Sequence, residues 1–432
     1  MPSSYRVESG TTIATPTSGY SRTPAWRSVS GAGGAVRWLL CALPVVMLLS
    51  SCRKPVEPQY GRPLPPGAKA LRLVPVEQWP EVPRDDGTDL RSAMDRSLQW
   101  FGAPSSRMHF TAEISYEQAQ AGVYAMSVLL DEHADGSWGS ALRQHFDLYE
   151  SVGWDMEGTV LYTGYYSPRF EASTQPTDRF RYPLHGRPLQ LETDPLTGAV
   201  AGWRHPDGRL LPAPTRRQLR DAGALKGLEL VWFDRPLNVY LVHVNGSAQL
   251  HLPDGRIMHV GYAGTNGHPY TSIGRLLVAE GQISEHQLSL TAISRFFRKH
   301  PDRLERYVMR NDRFVFFREV EGNDWPAGSL GFTVEPHRTL ATDKAVFPRA
   351  GVVMIDTTLT ATGRPLRRLM VDQDTGGAIR APGRADIYFG VGAPAERLAG
   401  AQHAEGRLYY FILKPAQVAY WMDRMRASEG GG

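Results

Sequence analysis

The sequence predicts a mainly β protein with flanking helices: a barrel or sandwich with helices packed outside it, beside a second, mostly β domain. Three observations carry that expectation. Forty-three Gly and 32 Pro in 432 residues demand many turns and argue against a helical bundle. Short runs rich in β-branched and aromatic residues read as strands: GTVLYTGYYSPRF at 158–170, then GVVMIDTTL, RRLMVDQD, ADIYFGVG and LYYFILKP toward the C-terminus. Few of these runs alternate with long helical patterns, so neither a doubly wound sheet nor a TIM barrel fits.

Residues 1–34 are rich in Ser, Thr, Gly and Pro with no core-forming period, and read as disordered or as lying upstream of the true start. Behind Arg37, residues 38–51 run WLLCALPVVMLLSS. That is short of the roughly 20 residues a membrane span wants and matches the apolar region of a secretory signal peptide. It ends on Leu49-Ser50-Ser51-Cys52, the shape of the bacterial lipoprotein box, in which the Cys is lipidated and becomes the new N-terminus. Residues 1–51 are thus expected as a signal region with an extended start, Cys52 as the lipidation site, and the Pro-rich stretch 52–84 as a tether. An ordinary signal peptide or an uncleaved anchor are the alternatives. Arg53, rather than Asp, after the Cys favours the outer membrane, with the protein facing the periplasm. Cys41 lies in the removed segment, so the mature chain keeps one Cys and forms no internal disulfide. The removed segment also holds Arg6, Arg22, Arg27 and Arg37 against Glu8 alone, so the formal +4 of the chain falls to about +1 beyond it. The basic pI therefore implies no nucleic-acid partner.

Helical spacing covers 88–100, 114–130 and 138–152. From 172 to about 280 the chain reads as short strands and turns. LELVWFDRPLNVYLVHVNGSAQLHLPDG alternates apolar and polar residues, and Asp254-Gly255 marks a turn before IMHVGYAG. Residues 284–299 and 301–310 return to helical spacing, and NDRFVFFREV and SLGFTVEP read as strands. Ser247 reads as a turn residue. No GxGxxG follows a strand, and GxxxxGK[ST], HExxH and CxxC are absent, so no cofactor and no metal is expected.

The segment richest in chemistry is VDQDTGGAIRAPGRADIYFG, 371–390. Side chains two apart on an extended chain face the same way, which puts Asp372 and Asp374 together. Gly376 and Gly377 permit positive φ or close backbone approach, and Asp386 follows in a second strand. Neighbouring carboxylates disfavour one another's ionisation, so one can stay protonated and act as a general acid. Two Asp beside a turn also suit a hard cation, or cap turns structurally.

This segment resembles the three-aspartate domain of the membrane-bound lytic murein transglycosylase A family. TGYYSP at 163–168, GLELVWFDRPLNVYLVHVNGSAQLHLPDGRIMHVGYAGTNGHPYTSIGRLL at 227–277 and FVFFREVEGNDWPAGSLGFTVEPHRTLATD at 314–343 resemble further family elements, so the similarity spans about 85–420. It implies a double-psi β-barrel domain (85–171 and 300–432, with the three-aspartate element at 340–420) into which a second β domain (172–299) is inserted, the glycan lying between them. It implies that Asp374 is catalytic and that Asp343 and Asp386 complete the trio, with Asp372 an extra carboxylate of unassigned role. Thr163, Tyr165, Tyr166, Asn245, Tyr262, Asn266, Gly376 and Gly377 are expected at the substrate. Asn245 stands where the family usually has Gln, one methylene shorter.

The reaction so implied is exolytic cleavage of peptidoglycan between MurNAc and GlcNAc, with a 1,6-anhydromuramic acid end formed in cell-wall remodelling and recycling. One carboxyl suffices because the C6 hydroxyl of the sugar is the nucleophile. The expected partners are glycan strands, the outer membrane through the lipid, and cell-wall synthase or scaffold proteins. The rival readings are a non-catalytic peptidoglycan-binding lipoprotein and a muramidase-type hydrolase.

Overall fold

The computed structural model describes residues 57–85, 87–110, 113–133, 136–195, 197–285, 288–322 and 324–429; the expected signal region and Cys52 lie outside them. The N-terminal part comprises β1 (Leu71–Leu73), α1 (Thr88–Phe101), α2 (Tyr116–Glu132), α3 (Trp138–His145), β2 (Phe146–Ser151) and β3 (Val160–Ser167). Helix α1 buries Leu90, Ala93, Met94 and Ser97, three or four residues apart, as helical spacing requires. The third helix is shorter than expected. From Phe146 burial alternates, with Phe146 and Leu148 inward, so these residues extend as a strand instead of continuing the helix.

The middle of the chain holds β4 (Arg169–Ser173), β5 (Tyr182–His185), β6 (Leu191–Thr193), β7 (Val200–Arg204), β8 (Leu210–Leu211), α4 (Arg216–Asp221), β9 (Glu229–Phe233), α5 (Pro236–Asn245), β10 (Ser247–His251), β11 (Ile257–Thr265), α6 (Ile273–Ala279), α7 (Leu290–Lys299), α8 (Leu304–Val308) and β12 (Val315–Glu319). Helix α5 replaces part of an expected strand run. Pro236 opens it, Leu237, Tyr240 and Leu241 line its buried side, and Gly246 at φ 75° ends it. SLGFTVEP likewise forms a tight turn rather than a strand, joined only by the bridge Ala327–Thr333. The C-terminal part is β13 (Thr339–Ala341), β14 (Val352–Leu359), β15 (Arg364–Asp374), β16 (Arg384–Val391), α9 (Gly392–Ala401), β17 (His403–Leu413) and α10 (Val418–Glu429).

The result is a mixed α/β fold around a closed barrel. Six strands close on themselves in the order β17, β14, β15, β13, β16, β3, with β3 pairing back to β17, and β2 and β1 extend the sheet from β17. Side-chain alternation explains why the barrel strands read as unbroken apolar runs. Val353, Ile355, Met370, Leu408 and Tyr410 join one core with Val160, Tyr162 and Ile387. Their neighbours Val352, Met354, Leu369, Val371, Tyr409 and Phe411 face the opposite way and pack under α1, α2, α3 and α10. Where these strands are buried on both faces they keep few polar side chains, and the charged ones gather at their exposed ends, as at Arg364 and Arg367.

A second six-stranded sheet runs β12, β11, β10, β4, β9, β5, and its ends meet at the bridge Gly186–Phe317. It therefore reaches residue 319, past the expected limit of 299, because β12 pairs with β11. Helices α5 to α8 share a core of Leu237, Tyr240, Leu241, Ile273, Ile293, Phe297 and Tyr307 beside it. The stretch 57–84, expected as a tether, is packed instead: Leu64 joins the barrel core, Leu71–Leu73 pair with β2, and Val74, Trp79 and Val82 cover the helical core.

Candidate active site

Asp374 ends β15 at the barrel rim, and three elements converge on it. Its Oδ2 accepts a hydrogen bond from the Tyr165 hydroxyl of β3 at 2.8 Å, and its Oδ1 accepts from the backbone N–H of Ser329 and of Thr375, both at 2.8 Å. Ser329 reaches this carboxyl because residues 326–334 fold back on themselves, Gly331 N–H bonding Gly328 O and Val334 N–H bonding Pro326 O. A Cβ on Gly328 would lie 3.3 Å from Asp374 Cγ and 2.6 Å from Val334 Cγ1, so the close approach needs glycine. Burial pushes the Asp374 pKa above the ordinary aspartate value, while the hydrogen bonds from Tyr165, Thr375 and Ser329 and the charge of Lys344 pull it back. Tyr165 is held neutral, its pKa driven well up by burial and by the Asp374 charge, so it acts as a donor to the carboxylate.

Parallel pairing of β16 with β3 sets Asp386 opposite Thr163 and Tyr388 opposite Tyr165. The Thr163 hydroxyl donates to Asp386 Oδ1, and the Arg384 guanidinium holds the same carboxylate at 3.1 Å. The Tyr165 and Tyr388 rings lie 5.0 Å apart. Asp343 serves the backbone. It accepts from Ala345 N–H at 3.0 Å and from Ala381 N–H at 2.7 Å, tying down the loop 375–383 that joins Asp374 to β16.

Asp372 and Asp374 do not form the expected carboxylate pair. A bulge between β13 and β15 places Leu340 opposite Asp372 and Ala341 opposite Asp374, skipping Gln373. Asp372 is fully buried, ion-paired with Lys344, and accepts from Thr342 Oγ1 at 2.7 Å and the Tyr410 hydroxyl at 2.8 Å. What raises the Asp374 pKa is thus burial, not an adjoining carboxylate.

The remaining expected residues divide. Thr163 and Tyr165 are at the site. Tyr166 alternates away from Tyr165 into the barrel core. Asn245 spends its amide on Leu241 O of its own helix at 2.8 Å. Asn266 is buried and satisfied by backbone, donating to Pro214 O and Asp312 O and accepting from Phe314 N–H, each at 2.8 Å. Tyr262 is exposed and lines a shallow cavity of about 760 Å³ on the second sheet with Arg187, Glu229 and Arg318, apart from the aspartates. Neither Gly376 nor Gly377 has a left-handed φ. Gly377 instead sits where an added Cβ would be 3.6 Å from Tyr270, which brings the aspartate loop against the segment between β11 and α6.

Sequence reasoning missed Tyr270, Ser329, Lys344, Arg384 and Tyr388. Only Lys344 and Arg384 carried a signal, as cations beside Asp343 and two residues before Asp386. Ser247, read as a turn residue, pairs with Ser167 at 3.0 Å, and Ser167 with the Tyr388 hydroxyl at 3.1 Å. Among the described residues no group of three His, Cys, Asp or Glu could hold a metal ion.

Residues 161–318 match the MltA specific insert domain, and residues 338–412 match the 3D domain. The chain is 30% identical over 279 residues to the membrane-bound lytic murein transglycosylase A of Vibrio cholerae, an alignment spanning 62% of this chain and 70% of that one. Its structure is similar to that of a membrane-bound lytic murein transglycosylase from Agrobacterium tumefaciens, with a TM-score of 0.69 and 27% identity over 81% of this chain and 99% of that one. Escherichia coli MltA, crystallised with bound chitohexaose, shares the fold at a TM-score of 0.61 and 23% identity, over 83% of this chain and 97% of that one. By these matches the chain belongs to the membrane-bound lytic murein transglycosylase A family.

Proposed function

We propose that this protein is a lytic transglycosylase of peptidoglycan, cleaving the β-1,4 bond between MurNAc and GlcNAc and leaving a 1,6-anhydromuramic acid end. One observation carries the choice of chemistry within the family: of the four aspartates, Asp374 alone is neither held in an ion pair nor given wholly to fixing a loop. Asp386 is paired with Arg384, Asp372 with Lys344, and Asp343 serves backbone amides. A hydrolytic glycosidase uses two working carboxylates, one as acid and one as nucleophile or base. Here one group fills both roles. The Asp374 carboxyl gives its proton to the leaving GlcNAc oxygen as the C1–O bond breaks. The carboxylate then takes the proton of the C6 hydroxyl as O6 bonds to C1, which restores Asp374 and consumes no water. The attached nucleophile supplies the orientation that a second residue would otherwise provide.

The closed barrel is read as a double-psi barrel, and the glycan is placed between it and the second sheet, an occupant suggested by the oligosaccharide bound in the E. coli relative. Tyr165 and Thr163 face that substrate on the barrel side, and Tyr270 faces it on the other. Digestion of purified wall glycan tests the reading. Products lighter by one water than reducing muropeptides are expected; reducing ends would make the protein a muramidase, and binding without products a non-catalytic wall-binding lipoprotein.

Two further outcomes are expected here. Tyr165→Phe removes a hydrogen bond that favours ionised Asp374, so the carboxyl stays protonated to higher pH. The alkaline limb of the pH–rate profile should therefore move upward, as measured by anhydromuropeptide release. Because the donor set at the aspartates is built from tyrosine, threonine, backbone amides and cations, activity should persist in excess EDTA; loss restored by one divalent ion would contradict it.

The anchor is part of the same proposal. Cys52 is lipidated, and the protein is held at the outer membrane facing the periplasm, where synthase or scaffold proteins are candidate partners. Among the described residues no helix is long and apolar enough to cross a membrane. Cys52→Ser should release the protein from the membrane fraction; equal fatty-acid labelling of both forms would show that the lipid is not on this residue.

A further inference from the structure

The loop 375–383 is fixed at its start by the Thr375 N–H bond to Asp374 and at Ala381 by Asp343. Its far end is fixed by parts of the chain far away in sequence. Gly383 O accepts from Leu161 N–H at 2.9 Å, the hydrogen bond that begins the β3–β16 ladder, and Pro382 O accepts from Ser151 Oγ at 3.0 Å. Over Gly383 lies a lid of two residues. A Cβ added there would be 2.5 Å from Trp154 Cβ and 2.7 Å from the Tyr60 carbonyl oxygen, so only glycine lets the loop pass beneath. Tyr60 packs edge-on against Trp154 with ring centroids 6.0 Å apart and anchors its hydroxyl to Glu405 Oε1 at 2.8 Å. The indole N–H of Trp154 has no hydrogen-bond partner among the described residues, so the contribution of this ring is contact. At the next residue, Gly61, an added Cβ would lie 4.0 Å from the end of the Arg275 side chain of α6.

We propose that Tyr60 and Trp154 are positioning residues for the reaction. Together they clamp Gly383 and thereby hold the Arg384–Asp386–Thr163 cluster in register beside Asp374. The segment that follows the expected anchor is then part of the active-site wall. The clamp needs no new chemistry. Two residues after Gly383, Ala385 pairs with Tyr162, and one further on Asp386 meets Thr163, so slack at Gly383 passes directly into the register of the acidic cluster. A displacement of about 1 Å at a reacting group can cost on the order of 10²-fold in rate, and partial loosening of one loop end should cost less.

This inference rests on the proposed reaction, and its test separates the two. In the full-length protein, Tyr60→Ala should lower kcat for anhydromuropeptide release about tenfold with KM nearly unchanged, and shift the pH–rate profile. Tyr60→Phe keeps the ring contact and should recover most of the rate. Gly383→Ala, which forces Trp154 and the Tyr60 backbone away, should reproduce the Tyr60→Ala signature. Independently of turnover, amide hydrogen exchange at Leu161 and across 376–384 should quicken in Tyr60→Ala. Unchanged exchange there, or a Tyr60→Ala enzyme with wild-type kcat and pH profile, would overturn the clamp. Wild-type protein that releases no anhydro product while Tyr60→Ala still loosens the loop would refute the proposed reaction and leave the clamp standing.

Discussion

Asp374→Asn is expected to lower anhydromuropeptide release by about 10²–10⁴-fold or more, because general acid–base assistance has about that worth and in the proposed reaction one group provides it twice. The side chain is nearly isosteric: its amide oxygen can still accept from the Ser329 and Thr375 N–H groups, while its NH2 faces the Tyr165 hydroxyl, which turns to accept instead of donate. Fold and binding to insoluble wall should survive. The stability effect has a definite sign. Folded Asp374 holds its proton more tightly than the unfolded chain does, because burial raises its pKa. Its favourable share of stability is therefore complete below the unfolded value and is lost as pH rises through the folded one. At neutral pH the Asn variant, which has no charge to bury, should melt at or above the wild-type temperature, and that advantage should vanish in acid. Asp386→Asn should cost less in turnover, since that carboxylate is already bound to Arg384 and Thr163. A folded, dead Asp386→Asn beside an active Asp374→Asn would move the catalytic role to Asp386.

Lys344→Met should bring the largest loss of stability of any single charge change near the site, roughly 3–5 kcal/mol. Lys344 is almost wholly buried and paired with Asp372, which has no exposure at all. Burial lowers the Lys344 pKa and Asp372 raises it back, so the pair depends on both members being present. Removing the ammonium leaves a buried carboxylate hydrogen-bonded only to the neutral hydroxyls of Thr342 and Tyr410, with the half-buried Arg349 as its remaining neighbouring positive charge. Adding Asp372→Asn in the same protein removes that charge too, and should recover much of the loss in denaturant unfolding. A single Lys344→Met variant as stable as wild type would contradict this view of the pair. The same substitution also withdraws a positive charge that favours ionised Asp374, so whatever activity remains should persist to higher pH.

What could be read from the sequence follows a physical division. The barrel strands were legible because much of their length is buried on both faces and is rich in β-branched and aromatic residues, as in Val352–Leu359, whose first four residues are all buried. Asp374 and Asp386 stood out because both lie in local motifs, and the ladder sets both opposite Ala341. Helix α5 was not, because a ten-residue helix with a broad apolar surface between two strands imitates alternation, and only Pro236 and Gly246 mark its ends. Tyr166 was misassigned through strand parity: one residue along β3 exchanges the site for the core. Asn266 was misassigned because its three hydrogen bonds to backbone depend on residues 46 to 52 positions away. The Ser329 amide at Asp374 and the Trp154 and Tyr60 lid over Gly383 are long-range approaches of backbone and ring. No local pattern encodes them.

In the proposed reaction the sugar's own C6 hydroxyl, and not water, completes the cleavage at Asp374. Digestion of purified peptidoglycan in water enriched in ¹⁸O measures this. Every new muramic acid end should lack the label and be one water lighter than a reducing end, and Asp374→Asn should yield almost none. New ends that carry one ¹⁸O would show attack by solvent and contradict the mechanism.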